Sequence, residues 1–212
     1  GLGDVYKRQA VACTNRSTSS EQDEVRHWNN VLQQINALLL ENKAQQTLDL
    51  AKQTLPEILE SAEKNGTTDT LIYYARKIFN ACGNNYINTK QYKDGIDYMD
   101  SIGNHPLIRE HCPHELLSFK AGLNQLYGNN PEAVRLAEDY LQLPVCTSAN
   151  DFIRQAEIIS GVYMYSGNNL PKAIQILEKA IDVYRKGGNF PNMLRIMSRL
   201  GICLLYTSDA AD

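Results

Sequence analysis

The densest set of reactive side chains is His105 together with His111-Cys112-Pro113-His114-Glu115. Imidazole, thiol and carboxylate are the donors that zinc takes, but His111, Cys112 and His114 match none of the spaced pairs of zinc sites. Pro113 also restricts the fold-back that would bring three neighbours onto one ion. The stretch therefore reads as a helix-opening loop, with Pro113 as initiator and Glu115 in the first turn, near the positive end of the helix dipole. Cys82 beside Gly83 reads as a small buried hydrophobe. Cys112 and Cys146 lie about one structural unit apart, which leaves a disulfide between them open if the chain is exported. No nucleophile elbow, Gly-rich phosphate loop or spaced His-Glu-His motif appears, so no catalytic residue, metal or cofactor is expected, and the chain does not read as an enzyme.

The elements that carry these side chains are helical throughout. From residue 21 onward apolar residues recur at three- and four-residue steps, as in Val25, Trp28, Val31, Leu32 and Ile35, and no alternating strand pattern competes. Asn130-Pro131 and Asn169-Leu170-Pro171 read as helix starts, because proline's missing N–H has no partner to lose there. Gly66, Gly103, Gly187 and Gly188 read as stops, and Gly128-Asn129 as a left-handed turn. The 212 residues carry a net charge of −3. Such a balance gives no footprint for nucleic acid, and no apolar run approaches the roughly 18 residues of a membrane span.

A repeat underlies the pattern. Gly83, Ala121 and Gly161 sit at matching points of successive first helices. Gly95, Ala133 and Ala173 follow at one fixed offset, Met99, Ala137 and Leu177 at a second, and Ile102, Tyr140 and Ala180 at a third. Nearly all are small or apolar, as close helix–helix approach requires. A degenerate unit lies upstream, with Trp28, Leu32 and Ile35 on its first helix and Ala44, Leu48, Ala51 and Pro56 on and after its second. Phe79, Cys82-Gly83, Tyr86, Tyr92, Gly95, Met99, Ile102 and Pro106 form the best unit, and these residues resemble the tetratricopeptide repeat. The resemblance implies an all-α fold, a right-handed α-solenoid of antiparallel helix pairs over residues 21–202. The spacing of about 40 residues departs from the family's roughly 34, which implies longer connections.

In such a stack the first helices line the concave side. Lys77, Asn80, Asn84, Asn88, Ser118, Gln125, Gln155, Ile158, Tyr165 and Arg195 are the lining expected here. Neutral Asn, Gln and Tyr side chains suit a peptide backbone or sugar hydroxyls. The family's grip on a terminal carboxylate is matched only at Asn84, because Asn80, Phe119, Gln155 and Ile159 hold the other positions, so a chaperone-tail receptor is disfavoured. Tyr73, Tyr74, Tyr86, Tyr92 and Tyr98 read as packing rather than as a platform.

Both ends need separate treatment. Residues 1–9 (GLGDVYKRQ) and 203–212 (CLLYTSDAAD) resemble translated sequencing adapter, leaving residues 10–20 as a polar linker ahead of the repeats. A chain ending near Ile202 is expected to leave its last helix with an exposed apolar face. Ala10-Val11-Ala12-Cys13 resembles a bacterial lipobox, with Cys13 as the lipidation site. The whole segment is similar to the exported helical-repeat sensor region of Bacteroidetes signalling proteins. That likeness implies a periplasmic or membrane-anchored module whose partner is a protein or peptide, with membrane contact only through a lipid anchor or a downstream span. A lipid-anchored carbohydrate-binding protein of the outer membrane is the alternative.

Overall fold

The computed structural model describes residues 19–144, 149–167, 169–187 and 190–208. Among them every regular element is a helix: α1 Ser19–Leu40, α2 Ala44–Asn65, α3 Asp69–Asn88, α4 Tyr92–Ile102, α5 Pro106–His111, α6 Pro113–Tyr127, α7 Asn130–Gln142, α8 Ala149–Tyr165, α9 Leu170–Gly187 and α10 Phe190–Ser208. The fold is all-α, as the periodicity predicts. Cys13 and Cys146 lie outside the described residues, so the expected lipidation and the Cys112–Cys146 pairing fall there too.

Local chemistry sets most helix ends. Thr68 opens α3 by accepting the Leu71 N–H on its hydroxyl at 3.2 Å, and Asn169 does the same for Lys172 ahead of α9. Pro106 and Pro113 each sit in the first turn of their helices, so the connection around His111 holds a short helix, α5, in addition to the expected start of α6. Gly128 closes α6 with φ +95°, a conformation that a side chain would strain. Asn129, expected to share that geometry, has φ −87°. Among the described residues the left-handed positions outside glycine are Asn42 and Lys90.

Pro56 does not end a helix: α2 runs through it to Asn65. Proline removes one hydrogen bond there. However, Leu55, Ile58, Leu59 and Ala62 continue the buried stripe on one face, and Pro56 faces solvent, where water can satisfy the freed carbonyl.

Packing is serial. Consecutive helices pack on one another except at the short α4–α5 step, α4 packs on α6, and there is contact along the row α1, α3, α6, α8, α10. Two clusters of buried apolar residues meet at α6, which gives Phe119 and Leu123 to the first and Ala121 to the second. Of the twelve repeat positions, all but the half-buried Ile102 are buried. Two of the repeat glycines have no room for a side chain: a Cβ on Gly83 would sit 2.4 Å from Phe119, and one on Gly95 would sit 3.0 Å from Tyr86. At the far end Leu194, Met197 and Ile202 of α10 are exposed. The helix continues past Ile202, and Cys203 is buried with its sulfur 3.2 Å from that of Met164.

Candidate functional site

The first-helix row carries a cleft made of three cavities. The largest, about 540 Å³, lies between α1 and α3 and is lined by Leu32, Ile35, Asn36, Leu39, Tyr73, Lys77, Asn80, Ala81, Asn84, Asn85 and Asn88. A second, about 340 Å³, shares Leu39, Asn85 and Asn88 with it and adds Asn42, Lys43 and Ala44 at the start of α2. A third, about 230 Å³, is formed by Ile87 of α3, Gly122, Gln125 and Leu126 of α6, Glu157, Ile158, Gly161 and Tyr165 of α8, and Arg199 of α10. Ile87 and Asn88, successive residues near the end of α3, line the third and the first cavity.

Seven of the expected lining residues therefore fall in cavities: Lys77, Asn80, Asn84 and Asn88 in the first, Gln125, Ile158 and Tyr165 in the third. Helical spacing of four puts Asn80, Asn84 and Asn88 on one face of α3. The Asn84 amide donates to the Asn80 carbonyl at 2.9 Å, which orients it along the helix.

Three expected residues lie elsewhere. Ser118 is 1% exposed, its hydroxyl donating to the Glu115 carbonyl at 3.0 Å. Gln155, 3% exposed, accepts the Tyr140 hydroxyl at 2.9 Å. Both are interior, and Tyr140 of the preceding helix holds Gln155 there. Arg195 is exposed but committed: its Nε and Nη2 donate to the two oxygens of the buried Glu157 at 2.7 and 2.8 Å. That fork balances the one carboxylate bordering the cleft.

The sequence reading missed Asn36, Tyr73, Asn85 and Arg199. Of the tyrosines expected to pack, Tyr74 and Tyr86 are buried. Tyr73 itself is exposed, with the Lys77 ammonium 5.7 Å from its ring. Arg199 reaches over α8 where Gly161 has no side chain; a Cβ there would meet its Nη2 at 3.6 Å. Among the described residues neither Lys77 nor Arg199 has an acidic partner, so the cleft carries uncompensated positive charge in a chain of net −3.

The His/Cys stretch is distributed over separate structural tasks. His105 caps α5, its Nδ1 accepting the Leu107 N–H while Nε2 meets Glu63 at 3.1 Å. The His114 Nε2–H donates to the Pro144 carbonyl, and Cys112 is buried. Among the described residues no three His, Cys, Asp or Glu side chains are grouped to hold a metal ion.

Cys82 is fully buried beside Tyr98, and burial pushes its thiol up to about 12. It should resist iodoacetamide at pH 8 in the native protein and react only on unfolding. Peptide mapping of the alkylated chain checks this, and rapid native labelling would contradict the packing of α3 on α4.

No helix among the described residues is long and apolar enough to cross a membrane. The described residues form an all-helical protein with serially packed helices, an amide-rich pair of cavities between α1, α2 and α3, and a third cavity between α6 and α8. No protein-family model matches the chain, and no curated protein matches it either.

Proposed function

We propose that the protein is a non-catalytic interaction module that holds an extended peptide or protein segment in the cleft along α1, α3, α6, α8 and α10. On this reading the helices form a right-handed solenoid of antiparallel, tetratricopeptide-like pairs, and the module is the sensory or scaffold part of a larger bacterial signalling protein. One observation carries the reading: the two cavities at α1, α2 and α3 share Leu39, Asn85 and Asn88 and are rich in side-chain amides, and a third cavity between α6 and α8 presents Gln125 beside the exposed Leu126 and Tyr165. Amides both donate and accept, so they can follow a peptide backbone without regard to its sequence. Lys77 and Arg199 add a preference for acidic side chains, since each lacks a carboxylate partner of its own.

A peptide array tests the proposal. Capped decapeptides probed with the intact protein should yield binders enriched in Asp or Glu. Asn84→Ala and Tyr165→Ala should each weaken them about five- to tenfold, as expected for one lost hydrogen bond or a lost aromatic contact. Both side chains reach the cleft and Tyr165 is 60% exposed, so melting temperatures should hold. Unfolding of either variant would assign these residues to packing instead. Binders indifferent to both substitutions would remove the cleft from recognition.

A further inference from the structure

The cavity between α6 and α8 pairs an apolar floor with one unbalanced cation. Ile87 and Ile158 form the floor, both packed on the first buried cluster, and Leu126 stands exposed at the edge. Gly122 makes the floor possible: a Cβ there would lie 2.6 Å from Ile158 Cγ2, so the missing side chain lets Ile158 lie across α6. Gly161 keeps another wall open, since the one atom of a neighbouring helix within 4 Å of its would-be Cβ is Arg199 Nη2, at 3.6 Å. The guanidinium therefore sits at the cavity wall. Two ionic groups line the cavity, and they differ in their partners. Glu157 is 5% exposed, and the Arg195 fork occupies both its oxygens. Arg199 has no acidic partner among the described residues, which leaves the wall one positive charge in excess.

We propose that this cavity is a binding site for a monocarboxylate carried on a small apolar body. The carboxylate pairs with Arg199, whose planar fork matches its two oxygens, and the apolar body covers Ile87 and Ile158. Other chemistries fit less well. An ammonium meets Arg199 with like charge. A phosphate dianion carries one charge more than Arg199 balances and brings it towards Glu157. A neutral apolar molecule excludes water from the guanidinium without replacing the bonds it loses. The volume of about 230 Å³ lies below the roughly 300–1,000 Å³ of pockets for drug-sized ligands, so the body is one ring or a short chain. A free acid and an acidic side chain beside an apolar one in a bound segment offer this same chemistry. The site goes beyond the peptide channel, because it needs no segment along α1 and α3.

The test uses the full chain labelled with 15N and phenylacetate as probe. Saturable shifts should appear at the Gly122, Gln125 and Gly161 amides and at the Arg199 side chain. Phenylacetamide, of the same shape without the charge, should bind about tenfold more weakly, the loss of a charge-assisted pair. Acetate, which lacks the ring, should be weaker by a similar factor. Added salt should weaken phenylacetate and leave phenylacetamide unchanged. Arg199→Met keeps an apolar stem and breaks no ion pair, so it should hold the melting temperature and abolish the difference between acid and amide. Gly161→Leu fills the cavity without altering its charge and should block both probes; if that variant unfolds, Arg199→Met still decides. Equal binding of acid and amide, acetate as tight as phenylacetate, or phenylacetate indifferent to Arg199→Met would overturn the proposal. Displacement of phenylacetate by an acidic array peptide, but not by its Asn or Gln counterpart, assigns the carboxylate to a bound segment; no displacement by either assigns it to a free acid. Phenylacetate binding does not require the array to yield binders, so failure of the channel and failure of this site are seen separately.

Discussion

Gly83→Val is expected to lower stability by more than about 3 kcal/mol, and Gly83→Ala by about 1–2 kcal/mol even though alanine favours helix by about 1 kcal/mol. A Cβ at this position would lie 2.4–2.6 Å from three carbons of the Phe119 ring. The ring cannot retreat: it is buried and packs edge-on against the equally buried Phe79, with centroids 6.2 Å apart. The conflict therefore falls on the backbones of α3 and α6, whose close approach joins two units. Urea unfolding measures the loss. Phe119→Leu, combined with Gly83→Ala, should recover much of it through a coupling of about 1–3 kcal/mol. Gly201 is the control. It occupies the corresponding place on α10, yet nothing lies within 4 Å of its would-be Cβ, so Gly201→Ala should be neutral or stabilising by up to about 1 kcal/mol. Equal effects at both glycines would refute the assignment of Gly83 to a close helix contact.

The second large effect is expected at Arg76, whose Nε lies 3.1 Å from Glu115 Oε1 while its Nη2 donates to the His111 carbonyl. Glu115 is 2% exposed. Arg76→Leu keeps the apolar stem but leaves a buried carboxylate without the guanidinium charge, and should cost about 3 kcal/mol. Adding Glu115→Gln should return most of that, since a neutral amide in the same place needs no counter-charge. A single variant as stable as the wild type at neutral pH would mean that the pair does not tie α3 to the start of α6.

The repeat frame was legible in the sequence because it is a matter of volume. Gly83, Ala121, Gly161 and their partners at fixed offsets recur where helices must approach, and a missing side chain is visible in a sequence. The path of α2 was less legible, since Pro56 usually marks an end. What overrides it is a long buried stripe on the opposite face, and that depends on the neighbours of α2. The cleft was legible in its α3 portion, where Asn80, Asn84 and Asn88 at a spacing of four declare a solvent face. Ser118 and Gln155 were misplaced because their burial comes from neighbouring units rather than from local pattern. Asn85 escaped notice for the opposite reason: it follows Asn84 on the buried side of α3, where an amide reads as an exception.

The account stands or falls on whether the cleft is where a partner lies. The most direct measurement is an amide and side-chain shift map of the 15N-labelled chain titrated with the strongest peptide from the array. The account predicts perturbations on Asn80, Asn84 and Asn88 of α3, Gln125 of α6 and Tyr165 of α8, with the exposed faces of α4 and α7 around Lys93 and Arg135 unaffected. Shifts gathered around Lys93 and Arg135, with α3 and α8 silent, would contradict it.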